Sequence, residues 1–223
     1  MAEIDFWYEF ASTYSYPAAM RIERVAAERS VKVRWRPFLL GPIFAEIGWK
    51  DSPFNIFPTK GRYMWRDMER ICGALGLPLR RPQPFPQNSL IAARVAFALE
   101  GDGRAAFSRR IYYAEFGEGR PISDRAVIAE ALKSIGADPD LVLAQAESLE
   151  NKDRLRAECL LAKSLGLPGA PCLMTSDGEV FWGNDRNEQA LEWEIGRKSP
   201  LPLCGVNGTR CAPQEASSRS DDR

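Results

Sequence analysis

The chain has 223 residues, room for one domain with a full core, and its hydrophobic share of 45% is that of a soluble globular protein. Lysine plus arginine equals aspartate plus glutamate, 30 against 30, so no basic excess recommends nucleic acid and no acidic excess a disordered solvating chain. There are no histidines, which removes the commonest general base, the commonest metal ligand and every Ser-His-Asp or Cys-His arrangement.

In chain order, residues 3–9 alternate as a strand, with Ile4, Phe6 and Tyr8 on one face and Asp5, Trp7 and Glu9 on the other. Residues 15–29 predict a helix with Ala18, Ile22, Val25 and Ala26 on one stripe, and VKVRWRPF (31–38) alternates as a second strand. Strand, helix, strand in so short a span is a βαβ unit, which implies parallel strands. From Gly41 to Phe57 prolines, glycines and aromatics recur without a period, predicting a long irregular connection. Helices are expected at 59–75, 88–100, 103–117, 123–135 and 139–165, the last broken near Ser148–Lys152, with RRPQPFPQ an extended link. PCLMTS (171–176) and EVFWG (179–183) read as strands joined at the SDG turn, and 185–196 as a final helix. The order βαβ, helices, ββα is that of an α/β thioredoxin-like fold with a large all-helical insertion. The expected organisation is one domain over residues 1–200, with the insertion at about 41–165 and a disordered tail at 201–223.

No apolar run approaches the roughly 20 residues of a membrane helix, and MAEIDFWYEF has no signal-peptide pattern, so a cytoplasmic location without a membrane is expected. The five cysteines, Cys72, Cys159, Cys172, Cys204 and Cys211, are spread without a CxxC, against both a disulfide framework and a metal site.

Four stretches hold residues suited to chemistry, and each has a plain structural reading beside a functional one. In FASTYSYPA, Ser12 and Ser15 stand where the first strand turns into the first helix. A serine there caps a helix, and the same free N–H groups and positive dipole end favour an anion. In a thioredoxin-like frame this is the CxxC place; here the frame is Ser-Thr-Tyr-Ser, so the electrostatics remain without a sulfur. In LGLPGAPCL, Pro171 is an edge-strand start or, in that frame, a cis-proline whose neighbour Ala170 offers its backbone to an extended peptide. Asn184 and Asp185 cap the last helix or hold a zwitterion. Lys60 opens a helix against the dipole, so it is solvated or held by an anionic group, with Asn55 nearby; Asn88 is a helix cap.

Taken together and in order, DFWYEFASTYSY, RWRPFLLG, PTKGRYMWRDMER, FPQNSLIAAR, EFGEGRPISD, GLPGAPCL and FWGNDRNEQALEW resemble the 2-hydroxychromene-2-carboxylate isomerases, relatives of kappa-class glutathione transferases. These stretches span residues 5–193. The resemblance implies a glutathione-dependent isomerase and a homodimer. Its reaction interconverts a cyclic 2-hydroxychromene-2-carboxylate and an open trans-o-hydroxybenzylidenepyruvate, in the degradation of naphthalene and related aromatics. By the same resemblance, Ser12 supports the glutathione thiolate and Ala170 with Pro171 pairs its cysteinyl part. Asn184 and Asp185 hold the γ-glutamyl end, and Lys60 with Asn55 the glycyl carboxylate. Arg36, Pro37 and Asn88 contact the small aromatic carboxylate. The family's frequent proline after the serine is Thr13 here. Two other functions stand beside this one: glutathione transfer or peroxide reduction by the same thiolate, and a thioredoxin-like binding protein without turnover.

Overall fold

The structure is a computed structural model that describes residues 2–46, 48–49 and 51–196; the expected tail, with Cys204 and Cys211, lies outside the described residues. Four strands form one mixed sheet: β1 (Ala2–Tyr8), β2 (Val31–Pro37), β3 (Cys172–Met174) and β4 (Val180–Trp182), in the order β2-β1-β3-β4. β1 runs parallel to β2, with Tyr8 opposite Pro37, and antiparallel to β3, with Trp7 opposite Cys172. The parallel pair is joined by α1 (Ser15–Ala27), as a crossover requires. The hairpin turn between β3 and β4 closes through Thr175 N–H to the Glu179 carbonyl at 3.0 Å, and Gly178 supplies its positive φ of 90°.

β1 is buried on both faces, although its alternation predicted one wet face. Its position explains this: it is an inner strand of the sheet, between β2 and β3, and helices cover both sides. Phe6 and Tyr8 pack with Trp35 and Tyr112. On the other side Trp7 lies beneath the Arg36 guanidinium, and buried Asp5 is ion-paired with Arg34. A polar residue at Asp5 misled the pattern because its charge is met inside the sheet by two strand arginines.

The helices between β2 and β3 are α2 (Leu40–Glu46), α3 (Pro53–Ile56), α4 (Pro58–Leu75), α5 (Leu90–Ala98), α6 (Gly101–Tyr112), α7 (Arg125–Ser134), α8 (Pro139–Glu147) and α9 (Leu149–Ser164). The stretch 41–57 is therefore not a continuous irregular loop. α3 is a single turn started by Ser52, whose hydroxyl accepts the Phe54 N–H, with Pro53 at its first position. Such short pieces complete no apolar period, which is why periodicity passed over them. α6 ends in a π-helical turn, Tyr113–Gly117, and α10 (Asn187–Glu194) follows a tight helical turn at Asn184–Arg186.

One half-buried arginine ties the insertion to the sheet. Arg104 donates Nε–H to the carbonyls of Ala96 and Leu99, both at 2.9 Å, and Nη1–H to the Trp35 carbonyl at 3.0 Å. Ile22, Phe107, Ile111 and Phe116 complete the core between α1 and the insertion, each contributing about 2–3 kcal/mol by burial. Among the described residues no helix is long and apolar enough to cross a membrane, and no cluster of three or more potential metal ligands occurs.

Candidate functional site

The C-terminal ends of parallel strands are where α/β folds leave a crevice, and the segment Glu9–Tyr14 leaves β1 at that end. The segment is a tight turn: Ser12 N–H reaches the Glu9 carbonyl at 3.0 Å, and Ser15 N–H the Ser12 carbonyl at 3.2 Å. α1 begins at Ser15, and its N-cap is Tyr14, which makes no side-chain cap bond. Neither serine is thus the helix cap proper. Ser12 acts one turn earlier: its Oγ receives the Ser15 N–H at 3.4 Å and donates to the Ala170 carbonyl at 2.9 Å. Among the described residues the backbone N–H groups of Thr13 and Tyr14 make no hydrogen bond. Two orphan donors at a helix start are an anion site.

The turn is held on the opposite side by α4. Thr13, almost fully buried, gives its hydroxyl proton to Met64 Sδ at 3.1 Å, and the Tyr14 hydroxyl donates to Asp67 at 3.1 Å. Burial and the neighbouring Asp67 carboxylate push the Tyr14 phenol up, so it stays a donor. Where the resemblance led to proline, Thr13 supplies an anchoring bond instead.

Ala170 precedes Pro171 across a cis peptide bond and faces Ser12. The Ala170 N–H has no partner among the described residues, so its backbone keeps a free edge next to the serine. The Pro171 carbonyl accepts the Gly183 N–H at 3.0 Å, which brings Asn184 and Asp185 to the same rim. These two differ in role. Asn184 is buried, its carboxamide and carbonyl oxygens both accepting from Arg21, which also pairs with Glu188. Asp185 is exposed, with one ion pair to Arg186 at 3.6 Å.

Lys60 stands one turn ahead of Met64 on α4, hence on the face that meets the Ser12 turn, about 6 Å further along the axis. It is exposed, with its ammonium 4.8 Å from the centre of the Phe57 ring. Asn55 on α3 donates to the Phe85 carbonyl at 2.8 Å and to Asp51. The structure therefore gathers Ser12, Ala170, Pro171, Asn184 and Asp185 directly, and sets Lys60 and Asn55 along the adjoining helices. Arg36 and Pro37 are placed at the same end of the sheet but are committed elsewhere. Arg36 is ion-paired with Glu158 and lies 4.5 Å over the Trp7 ring, while Pro37 is buried. Asn88 receives the Leu90 N–H at 3.1 Å and opens on a separate cleft of about 180 Å³ with Arg94, Ser123 and Glu147.

Among the described residues the protein's own thiols, Cys72, Cys159 and Cys172, are buried and not reactive groups. Burial pushes Cys72 up to about 11 and Cys172 up to about 12, and it raises Cys159 too.

Sequence reasoning missed the acids behind the turn. Glu9 is buried, with Oε1 3.2 Å from the Ala11 N–H, and its carbonyl accepts the Tyr112 hydroxyl at 2.9 Å. Glu115, in the π-helical turn, is wholly buried with neither carboxyl oxygen hydrogen-bonded. Burial, and secondly the nearby Glu9, hold its carboxyl well above the usual carboxylate range. The one available signal was Glu9 at the end of an apolar strand; nothing local marks Glu115.

The chain is similar to several known proteins. The curated 2-hydroxychromene-2-carboxylate isomerase of Sphingobium xenophagum is 27% identical over 184 residues, covering 82% of this chain and 93% of its own. Glutathione S-transferase kappa 1 of Homo sapiens is 23% identical over 215 residues, covering 89% and 94%. Among solved structures, that of a selenomethionine 2-hydroxychromene-2-carboxylate isomerase superposes with a TM-score of 0.78 at 24% identity, covering 87% of this chain and 95% of that one. The DSBA-like thioredoxin domain family matches residues 3–192, and with that span, this sheet order and the serine turn facing a cis-proline, the chain belongs to it.

Proposed function

We propose that the protein is a glutathione-dependent isomerase of the 2-hydroxychromene-2-carboxylate type. The observation that carries this reading is the Ser12 hydroxyl set against the Ala170 carbonyl, beside orphan backbone donors and with no cysteine in the turn. An anion-favouring turn that lacks its own sulfur suits a thiolate from outside. The residues fit glutathione. The free Ala170 N–H suits the cysteinyl backbone, and Ser12, released from Ala170, donates to the sulfur. Exposed Asp185 suits the γ-glutamyl amine, and Lys60 the glycyl carboxylate. Asn184 acts by fixing the rim through Arg21. Glutathione, when bound, supplies a thiolate able to add reversibly to a conjugated double bond. Ser12 is then its hydrogen-bond donor, since a serine without an adjacent base is a poor nucleophile.

The test is isomerisation of 2-hydroxychromene-2-carboxylate followed by ultraviolet absorbance, with and without glutathione. A rate above background that requires glutathione is expected; no such rate overturns the reading. The likeness to glutathione S-transferase kappa 1 favours a second reading, transfer of glutathione to another electrophile, which conjugate formation without isomerisation would establish. A homodimer belongs to the first reading and is checked by light scattering.

A further inference from the structure

Behind the Ser12 turn lies a group of buried polar side chains to which the proposed chemistry assigns no work. Glu115 is fully buried and both its oxygens lack a partner. Ser15 Oγ is equally buried and unpartnered, lying against the Tyr112 hydroxyl without a well-formed bond. Glu9 sits between this group and the turn: its carboxyl holds the Ala11 N–H, and its carbonyl holds both the Ser12 N–H and the Tyr112 hydroxyl. Two buried carboxylates that feel one another do not both ionise. Glu115, with no donor at all, is the neutral member; Glu9, holding a backbone N–H, carries the charge.

That carboxyl holds the N–H of Ala11, the residue just before Ser12, where an incoming thiolate would add a second negative charge. We propose that Glu9 is the acceptor of the proton that a glutathione thiol loses when it binds against Ser12. The S–H bond breaks, an O–H bond forms on the Glu9 carboxyl, and the negative charge moves from carboxylate to sulfur without changing in total. The proton returns when the thiol leaves. In a chain without histidine, no neutral base is available for this role. The groups facing Glu9 do not compete for it. Glu115 is already neutral, and burial holds the Tyr112 phenol and the Cys159 thiol protonated, each further raised by Glu9 itself. Burial likewise raises Glu9 above its ordinary value, which makes it a readier proton acceptor.

This inference rests on the glutathione reading, and one experiment separates the two. Glutathione is titrated into the whole protein at neutral pH by calorimetry in buffers of different ionisation enthalpy, with thiolate ultraviolet absorbance recorded in parallel. Net proton release to buffer is expected to stay near zero while the thiolate band appears. In Glu9→Gln the same thiolate is accompanied by release of about one proton per glutathione. Wild-type protein that forms the thiolate and releases about one proton overturns the inference and leaves the functional reading intact. Wild-type protein that neither binds glutathione nor forms the thiolate overturns the functional reading, and this inference with it. The wild-type proton count decides the matter even where Glu9→Gln fails to fold.

Discussion

Removing the Ser12 hydroxyl tests the site at its centre. In Ser12→Ala the Ala170 carbonyl loses its donor, a neutral bond worth about 1 kcal/mol, so folding is little affected: about 2–4 °C in Tm for a domain of this size. In the proposed glutathione complex the thiolate loses more, because a hydrogen bond to a charged group is worth about 1.5–3 kcal/mol. At 1.36 kcal/mol per pKa unit, the thiol of bound glutathione rises by about 1 to 2 units. Titrating the thiolate absorbance of the complex against pH measures this shift directly. The isomerase rate should fall by about 10- to 100-fold below both midpoints, and recover above the variant's midpoint where the thiol ionises unaided. An unmoved midpoint, or a loss that persists undiminished at high pH, refutes the assignment of Ser12 as the thiolate's donor.

Three further expectations come from the same structure. Asp185→Ala should weaken glutathione binding in calorimetry with no change in Tm, because Asp185 is exposed; Asn184→Ala should lower both, because it removes the side-chain half of the Arg21 tie. Arg104→Met strands the carbonyls of Ala96, Leu99 and Trp35, and at about 1–3 kcal/mol for each buried group left unpaired, denaturant unfolding should show a loss of several kcal/mol. Glu115 is held protonated in the folded chain and ionises ordinarily in the unfolded one, so folding retains a proton that unfolding releases. Stability therefore falls as pH rises above the ordinary carboxylate range, and Glu115→Gln should flatten that fall in thermal melts; parallel pH profiles for the two proteins would contradict it.

The strand and helix order was legible because each long element carries its own period, and Ser12, Pro171 and Asp185 stand at the turns where periods change. What stayed hidden depends on partners far along the chain. Asp5 looks like a surface residue until Arg34 and Arg36 arrive from the next strand. Glu115 looks like one charge in a polar helix end, and its burial follows from the π-helical turn that rolls it inward. Arg36 sits where a substrate contact was expected, yet Glu158, on a helix more than a hundred residues later, claims it. Ser12 was read as a cap because capping and anion binding use the same donors; the Ala170 carbonyl separates the two.

The bond from Ser12 to Ala170 joins residues 158 apart, and the sheet repeats that closure by placing the first strand beside the third. Bringing such distant points together costs about 4 kcal/mol of chain entropy, met only once β3 is laid down. A nascent chain that ends within α9 carries the serine turn with no carbonyl across from it. On the proposed reading, affinity for the thiol therefore arrives with about the last sixth of the domain, late in synthesis and all at once. By the same logic, a proteolytic nick anywhere in the insertion turns this closure into an encounter between two fragments. The site then becomes dilution-sensitive.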